Sequence, residues 1–340
     1  MQRKPGGVVV ITGGSAGVGR ATAKAFAREG YNVGLIARGR DGLEGAKREV
    51  EDLGTQCRDY RADVASAAAI EDAADYFERE LGPIDIWVNN AMTSVLAPVK
   101  ETTAEEFRRV TEVTYLGYVH GTLAALHRML PRDEGVIIQV GSALAYRSIP
   151  LQAAYCAAKH AILGFTESLR TELLHDKSGV HVKMAHLPAV NTPQFRWVRS
   201  KLPNKAQPLA PVFQPEVPAE AITWLAHSKR DELYVGWPAV KAIWGGQIAP
   251  RWLDHYLARN AYQSQQTDEP EDPGRADNLF EPVPGDHDTH GVFDERSRDF
   301  SWQLGVTTHR KLLTGVMGGA AAVAAGVMAV TRAGNGRENR

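Results

Sequence analysis

The chain has 340 residues, enough to bury a full α/β core. Its 39 basic and 40 acidic residues balance and form no basic stripe, which excludes nucleic acid as an expected partner. Cys57 and Cys156 stand far apart and the 11 histidines show no ligand spacing, so neither a disulfide framework nor a metal site is expected.

The opening MQRKPGGVVV is basic and then apolar, but the apolar run meets glycine within a few residues, so it reads as a first strand and not as a signal peptide. Residues 7–11 form a short apolar run of the kind buried in parallel sheets. It leads into Thr12-Gly13-Gly14-Ser15-Ala16-Gly17-Val18-Gly19. Residues 20–29 then have a helical pattern that stops at Gly30. Strand, glycine loop and helix in that order make a phosphate site. The glycines permit a tight turn, and backbone N–H groups at the helix N-terminus approach a pyrophosphate. The spacing, Gly13-x3-Gly17-x-Gly19, differs from the common GxGxxG. A second apolar strand, residues 32–37, follows at the interval of a βαβ unit. An NAD site carries an acidic residue at the end of that strand for the ribose 2′-OH. Here Ala37 and Arg38 stand there, and an arginine suits a 2′-phosphate. NADP is therefore expected over NAD.

Further strands are expected at 56–61, 84–89, 135–140, 181–187 and 232–235, with helices at 67–81, 103–128 and 153–174 among them. Seven strands alternating with helices predict an α/β fold, a Rossmann-like doubly wound parallel sheet covered on both faces. Ligands bind beyond the C-terminal strand ends in such sheets. Ser142 follows the strand at 135–140. Tyr155 and Lys159 are four apart and share one face of the next helix. A free tyrosine, with a pKa of about 10, transfers protons poorly near neutrality, and a neighbouring ammonium lowers that value. With a serine hydroxyl to hydrogen-bond the oxygen, the three groups suit proton transfer at a carbonyl or alcohol while a hydride moves at carbon.

Residues 194–214 are too long for a simple connection. Phe195, Trp197, Leu202 and Phe213 either wall an apolar pocket or pack this segment down. Residues 263–299, rich in Asp, Glu, Pro and Gly, predict an irregular extension. Residues 312–331 carry no charge and are long enough to cross a bilayer, with Gly315-x3-Gly319 as a small-residue packing motif. They are read as a C-terminal membrane anchor, with a packed tail helix as the rival. The expected division is a cytoplasmic reductase domain at 1–260, the extension at 261–308 and the apolar helix at 309–340.

On these residues the chain resembles a short-chain dehydrogenase/reductase of the compact single-domain branch, over residues 7–237. The family's TGxxxGxG is matched by Thr12, Gly13, Gly17 and Gly19, and its adenine-contacting Asp by Asp63. Its NNAG is matched by Asn89, Asn90 and Ala91, with Met92 where a glycine is usual. Its Ser, Tyr and Lys are Ser142, Tyr155 and Lys159. Its PGxxT is Pro188, Ala189, Val190, Asn191 and Thr192, where Thr192 would hold the nicotinamide carboxamide. Ser15, Val18 and Val64 complete the implied cofactor set. The resemblance implies Tyr155 as general acid/base. Lys159 would lower its pKa and hold the nicotinamide ribose, and Ser142 would orient the substrate oxygen. It also implies a substrate lid at 194–214 and a dimer or tetramer built on the fourth and fifth helices. Family members carry an Asn in an NxxG segment of the proton relay. This chain has Thr114-Tyr115-Leu116-Gly117, which puts Thr114 in that place. The expected activity is NADP(H)-dependent interconversion of a carbonyl and an alcohol on a lipophilic small molecule. The alternative is a nucleotide-sensing binding protein on the same fold, but such proteins usually lack the Tyr or Lys. Sugar epimerases favour a GxxGxxG loop, which is absent here.

Overall fold

In the computed structural model, which describes residues 3–237 and 250–309, the seven expected strands form one sheet. They are β1 (Val8–Thr12), β2 (Asn32–Ala37), β3 (Cys57–Arg61), β4 (Ile84–Asn89), β5 (Gly135–Ser142), β6 (Val180–Leu187) and β7 (Glu232–Tyr234). Their order is β7-β6-β5-β4-β1-β2-β3, and every neighbouring pair is parallel. The chain builds outward from β1 to β3, returns to β4 beside β1, and then builds the other way. The crevice beyond β1 and β4 is therefore the topological switch point, where open α/β sheets bind ligands. Every residue of β1, β4 and β5 is buried, which is why these runs are apolar or, at Asn89 and Gln139, internally hydrogen-bonded.

The helices are α1 (Gly17–Arg28), α2 (Arg40–Glu51), α3 (Ala67–Leu81), α4 (Ala104–Thr111), α5 (Gly117–Met129), α6 (Ala153–His175), α7 (Gln194–Trp197), α8 (Glu216–His227) and α9 (Pro250–Ser264). Under α3, α5 and α6 lies a core containing Phe77, Trp87, Met129 and Leu169, while α1 packs on α8. Burying each such side chain stabilises the fold by about 1.5–3 kcal/mol. The single helix expected over 103–128 is in fact two, joined by a π-helical turn at Glu112–Leu116. At α5 the absence of a side chain on Gly121 lets the helix approach β4: a Cβ there would stand 2.1 Å from Asn89 Oδ1.

One compact unit spans Met1–Phe300 and so takes in the acidic extension. Short strands stitch that extension down. Gln266–Pro270 pairs antiparallel with Asn204–Ala206, and Ser297–Arg298 pairs with Val212–Phe213, which also pairs with Ala189–Val190. A second unit, Ser301–Arg340, includes the helix α10 (Trp302–Thr308), whose Ser301 hydroxyl caps it by accepting from Leu304 N at 3.3 Å. The apolar run at 312–331 lies outside the described residues. Among those described, no helix is long and apolar enough to cross a membrane.

Candidate active site

A cavity of about 570 Å³ opens beyond the C-terminal ends of β1, β2, β4, β5 and β6. Its floor is the glycine loop. Gly13 (φ +67°) and Gly17 (φ +53°) adopt the left-handed conformation that suits glycine. A Cβ on Gly19 would lie 2.2 Å from Gly13 O, so the first turn of α1 rests directly on the loop. Ser15, Gly17 and Val18 line the cavity beside Gly13, whereas Thr12 and Gly19 stand behind it. The Thr12 hydroxyl accepts from the N–H groups of Asn90 (2.9 Å) and Ala91 (3.1 Å). Asn90 Nδ2 returns bonds to Thr12 O (3.0 Å) and Gly13 O (3.2 Å). These bonds lock the ends of β1 and β4 together and bring Asn90 and Ala91 to the wall.

At the far end of β2 and β3 stand Arg38, Asp63 and Val64. The Arg38 guanidinium donates to the carbonyls of Phe280 (2.7 Å) and Asn278, and burial lowers its pKa. Arg109 on α4 pairs with Asp63 and donates to Leu279 O at 3.0 Å. Neither Arg109 nor the extension was an expected part of this wall. No local spacing links residues 170 apart, and an acidic, proline-rich composition gives no pairing partner.

Ser142 at the end of β5 faces Tyr155 and Lys159 in the first two turns of α6. Lys159 Nζ donates to Val140 O (2.7 Å) and Tyr118 OH (3.0 Å), and sits 5.5 Å from the Tyr155 ring centre. Burial pushes the Lys159 amine down to about 7. Burial also pushes the Tyr155 phenol up, with the Ser142 hydroxyl working the other way. In this packing, burial disfavours charge on both groups. Tyr118, missed from sequence, is a buried partner of the lysine. Ser142 Oγ accepts from Leu144 N at 3.1 Å, which leaves its own proton to donate. Thr114 does not reach the cavity. It is fully buried, and its hydroxyl donates to Thr93 O (2.8 Å) and accepts from Thr93 N (3.0 Å).

Beyond these groups Pro188, Val190 and Thr192 follow β6 along one rim, and Gly17 closes on Thr192, whose Cβ would be 3.1 Å from a Cβ at Gly17. Leu96, Ile149, Leu187, Leu253 and Leu257 give the remaining wall a mostly apolar face, with Arg147, Gln152 and Gln194 also lining it. Phe195 and Trp197 of α7 line it as the pocket alternative required. Leu202 and Phe213 do not: Leu202 packs with Leu96, Leu151 and Val198, and Phe213 is buried in its short strand. Cys156, beside Tyr155, is buried with its thiol pushed up by burial. Among the described residues no three His, Cys, Asp or Glu side chains gather as metal ligands.

Comparison with known proteins agrees with this geometry. The short chain dehydrogenase family model matches residues 7–203. An uncharacterized oxidoreductase of Bacillus subtilis, YxnA, is 31% identical over 283 residues, 83% of this chain and 80% of that protein. A fatty acyl-CoA reductase of Acinetobacter baylyi is 30% identical over 221 residues, 64% of this chain and 72% of its own. The alcohol dehydrogenase of the archaeon Thermococcus sibiricus, solved with 5-hydroxy-NADP, superposes with a TM-score of 0.59 at 27% identity, over 67% of this chain and 95% of that one. With strand, glycine loop, serine, tyrosine and lysine all in the expected places, the chain belongs to the short-chain dehydrogenase/reductase family of nicotinamide-dependent oxidoreductases.

Proposed function

We propose that the protein is an NADP(H)-dependent enzyme that interconverts a carbonyl and an alcohol on a lipophilic small molecule. The observation that carries this is the meeting of Ser142, Tyr155 and Lys159 in one cavity, with the glycine loop on one side and apolar side chains on the other. The dinucleotide would be held by the loop from Gly13 to Gly19 at its pyrophosphate. Asp63, Val64, Asn90 and Ala91 would flank its adenosine, and Pro188, Val190 and Thr192 its nicotinamide. Bound there, it supplies or accepts the hydride. Ser142 donates a hydrogen bond to the substrate oxygen. Tyr155, kept protonated by its packing, gives that oxygen a proton as it becomes an alcohol. Lys159 lies close enough to hold the ribose hydroxyls and Tyr155 together. Thr114 holds Thr93, whose chain neighbours Met92 and Ser94 line the cavity.

Arg38 spends two of its five N–H donors on the extension, which leaves the others for a 2′-phosphate. Leu116, Leu123 and Leu130, all exposed and seven apart around α5, support subunit pairing through the expected fourth helix, here α4 and α5, together with the fifth, here α6. The tail at 309–340 would anchor the chain to a membrane, leaving domain 1–260 and extension 261–308 on the cytoplasmic side. The test follows oxidation of NADPH and NADH with ketones and aldehydes graded by apolar size. Activity should rise with substrate length, and NADPH should exceed NADH in kcat/KM by about tenfold or more. Dinucleotide binding without turnover across the whole series would favour the sensing alternative.

A further inference from the structure

The acidic extension completes no part of the central sheet, yet it runs the length of the cavity. At the Arg38 end, the consecutive carbonyls of Asn278, Leu279 and Phe280 accept from Arg38, Arg109 and Arg38 in turn. Leu279 is fully buried there beside Val95 and Val110. Pro282 then packs over Gly39, its Cβ 3.7 Å from where a Cβ on that glycine would stand, and Gly285 N donates to Asp41 Oδ2 at 2.9 Å. Above α1, Asp286 pairs with Arg20, a buried guanidinium that Glu49 also holds through two bonds of 3.0 Å. Asp288 O accepts from Gly17 N at 3.2 Å, and Thr289 Oγ1 accepts from Lys24 Nζ at 2.9 Å. At the Thr192 end, Asn191 donates to Asp294 Oδ1 at 2.9 Å.

The same segment is fastened to α7. Asn278 N donates to Trp197 O at 2.9 Å, and Arg196 donates to Gly291 O at 3.2 Å. His287 lies edge-on to Trp197 with ring centres 4.5 Å apart, and Phe195 meets Phe293 at 5.8 Å. Pro282, Val283 and His287 themselves face into the cavity. Apart from Leu279 and the ring contacts to α7, the fastening consists mostly of charge-assisted and main-chain bonds, several of them from exposed residues such as Asp286 and Asp288. Segments held this way open locally without unfolding the core.

We propose that residues 278–291 are the outer wall of the cofactor site, clasped at Asp286 and Arg20 and tied to α7, so that the dinucleotide exchanges only when this wall lifts and α7 moves with it. The proposal rests on the cavity being the dinucleotide site. It assigns to the extension the task of setting how long the cofactor stays.

Two variants loosen the wall without altering a side chain that faces the cavity. Asp286→Asn removes the charge of the clasp and leaves Arg20 on Glu49. Gly45→Ala places a methyl 2.0 Å from Asp286 Oδ2 and so pushes the wall outward, while alanine suits the interior of α2. NADPH association and its release into excess NADP⁺ are followed by stopped-flow fluorescence on the full-length chain, with circular dichroism to confirm folding. Each folded variant should both bind and release NADPH about tenfold faster, as expected when a charge-assisted clasp is weakened. Rates matching the wild type in both variants would overturn the proposal. Faster release with unchanged association would also overturn it, because that marks a lost contact and not an opened wall. If the wild-type protein binds neither NADPH nor NADH, the dinucleotide reading itself falls, an outcome distinct from either of these.

Discussion

At the residue scale, Tyr155 keeps its proton because of what surrounds it. Burial raises its pKa more than any neighbour lowers it, which suits the proton-donor role proposed for it. Tyr155→Phe keeps the ring and loses the proton. Turnover should fall by about 10²–10⁴-fold, while NADPH binding, read by fluorescence, stays near wild type. Lys159 offers a check with a definite sign. Its folded pKa is about 7 against an ordinary 10.5. Between those values the unfolded chain holds a proton that the folded chain does not, so the stability linked to Lys159 grows as pH rises from about 7 to 10.5 and is lost as pH falls through 7. The difference in urea-unfolding free energy between wild type and Lys159→Met should climb across that window, by up to about 1.4 kcal/mol per pH unit. A flat difference would mean the amine stays charged. Arg38→Asp should lower the NADP-to-NAD ratio of kcat/KM by about tenfold or more. It should also lower Tm, since the same guanidinium holds Asn278 and Phe280. The four-residue spacing of Tyr155 and Lys159 was legible because helical periodicity is local. The bonds from Lys159 to Tyr118 and Val140 were not, because they arise only when α5, α6 and β5 pack.

Among the elements, α5 approaches β4 closely at Gly121. Asn89, fully buried, accepts from Trp87 Nε1 (2.8 Å) and donates to Thr122 (3.1 Å) and Gln139 (2.9 Å), all beneath Gly121. Gly121→Ala would place Cβ 2.1 Å from Asn89 Oδ1 and 2.7 Å from Trp87 Nε1. Denaturant unfolding should show a loss of about 1–3 kcal/mol, as overpacking and a strained buried network predict. β1, β2 and β5 were readable in sequence because strands buried on both faces are largely apolar runs, which β3, CRDYR and only partly buried, is not. Their ends were less so. β5 continues to Ser142 because Gly141 and Ser142 still pair with His186 and Leu187, which apolarity alone does not signal. The π-helical turn at Glu112–Leu116 had no signature in a helical pattern, although Thr114 lies inside it.

For the whole molecule, the two ends of the C-terminal third should behave oppositely on truncation. Removing residues 311–340 leaves the unit Met1–Phe300 whole, so reductase activity should persist while any membrane association, read by fractionation, is lost. Truncation after residue 260 removes Leu279, the carbonyls held by Arg38 and Arg109, and the partner of Arg20. It should weaken NADPH binding by about tenfold or more, or leave the chain insoluble. A tail-less protein that loses activity would contradict the first expectation, and an unchanged Kd after the longer truncation would contradict the second. Composition did mark 263–299 as irregular. It could not show where the segment lies, because its partners at Arg20, Arg38 and Arg109 are 170 or more residues away along the chain.

That segment falls outside residues 7–203, where the family model matches, so the wall proposed to set cofactor residence lies apart in sequence from the residues proposed for the chemistry. Glu281, Pro284 and Asp288 are exposed and can vary without disturbing Ser142, Tyr155 or Lys159. On that proposal, changes at the far end of the chain would retune the tempo of the catalytic cycle while the reaction itself stays as it was.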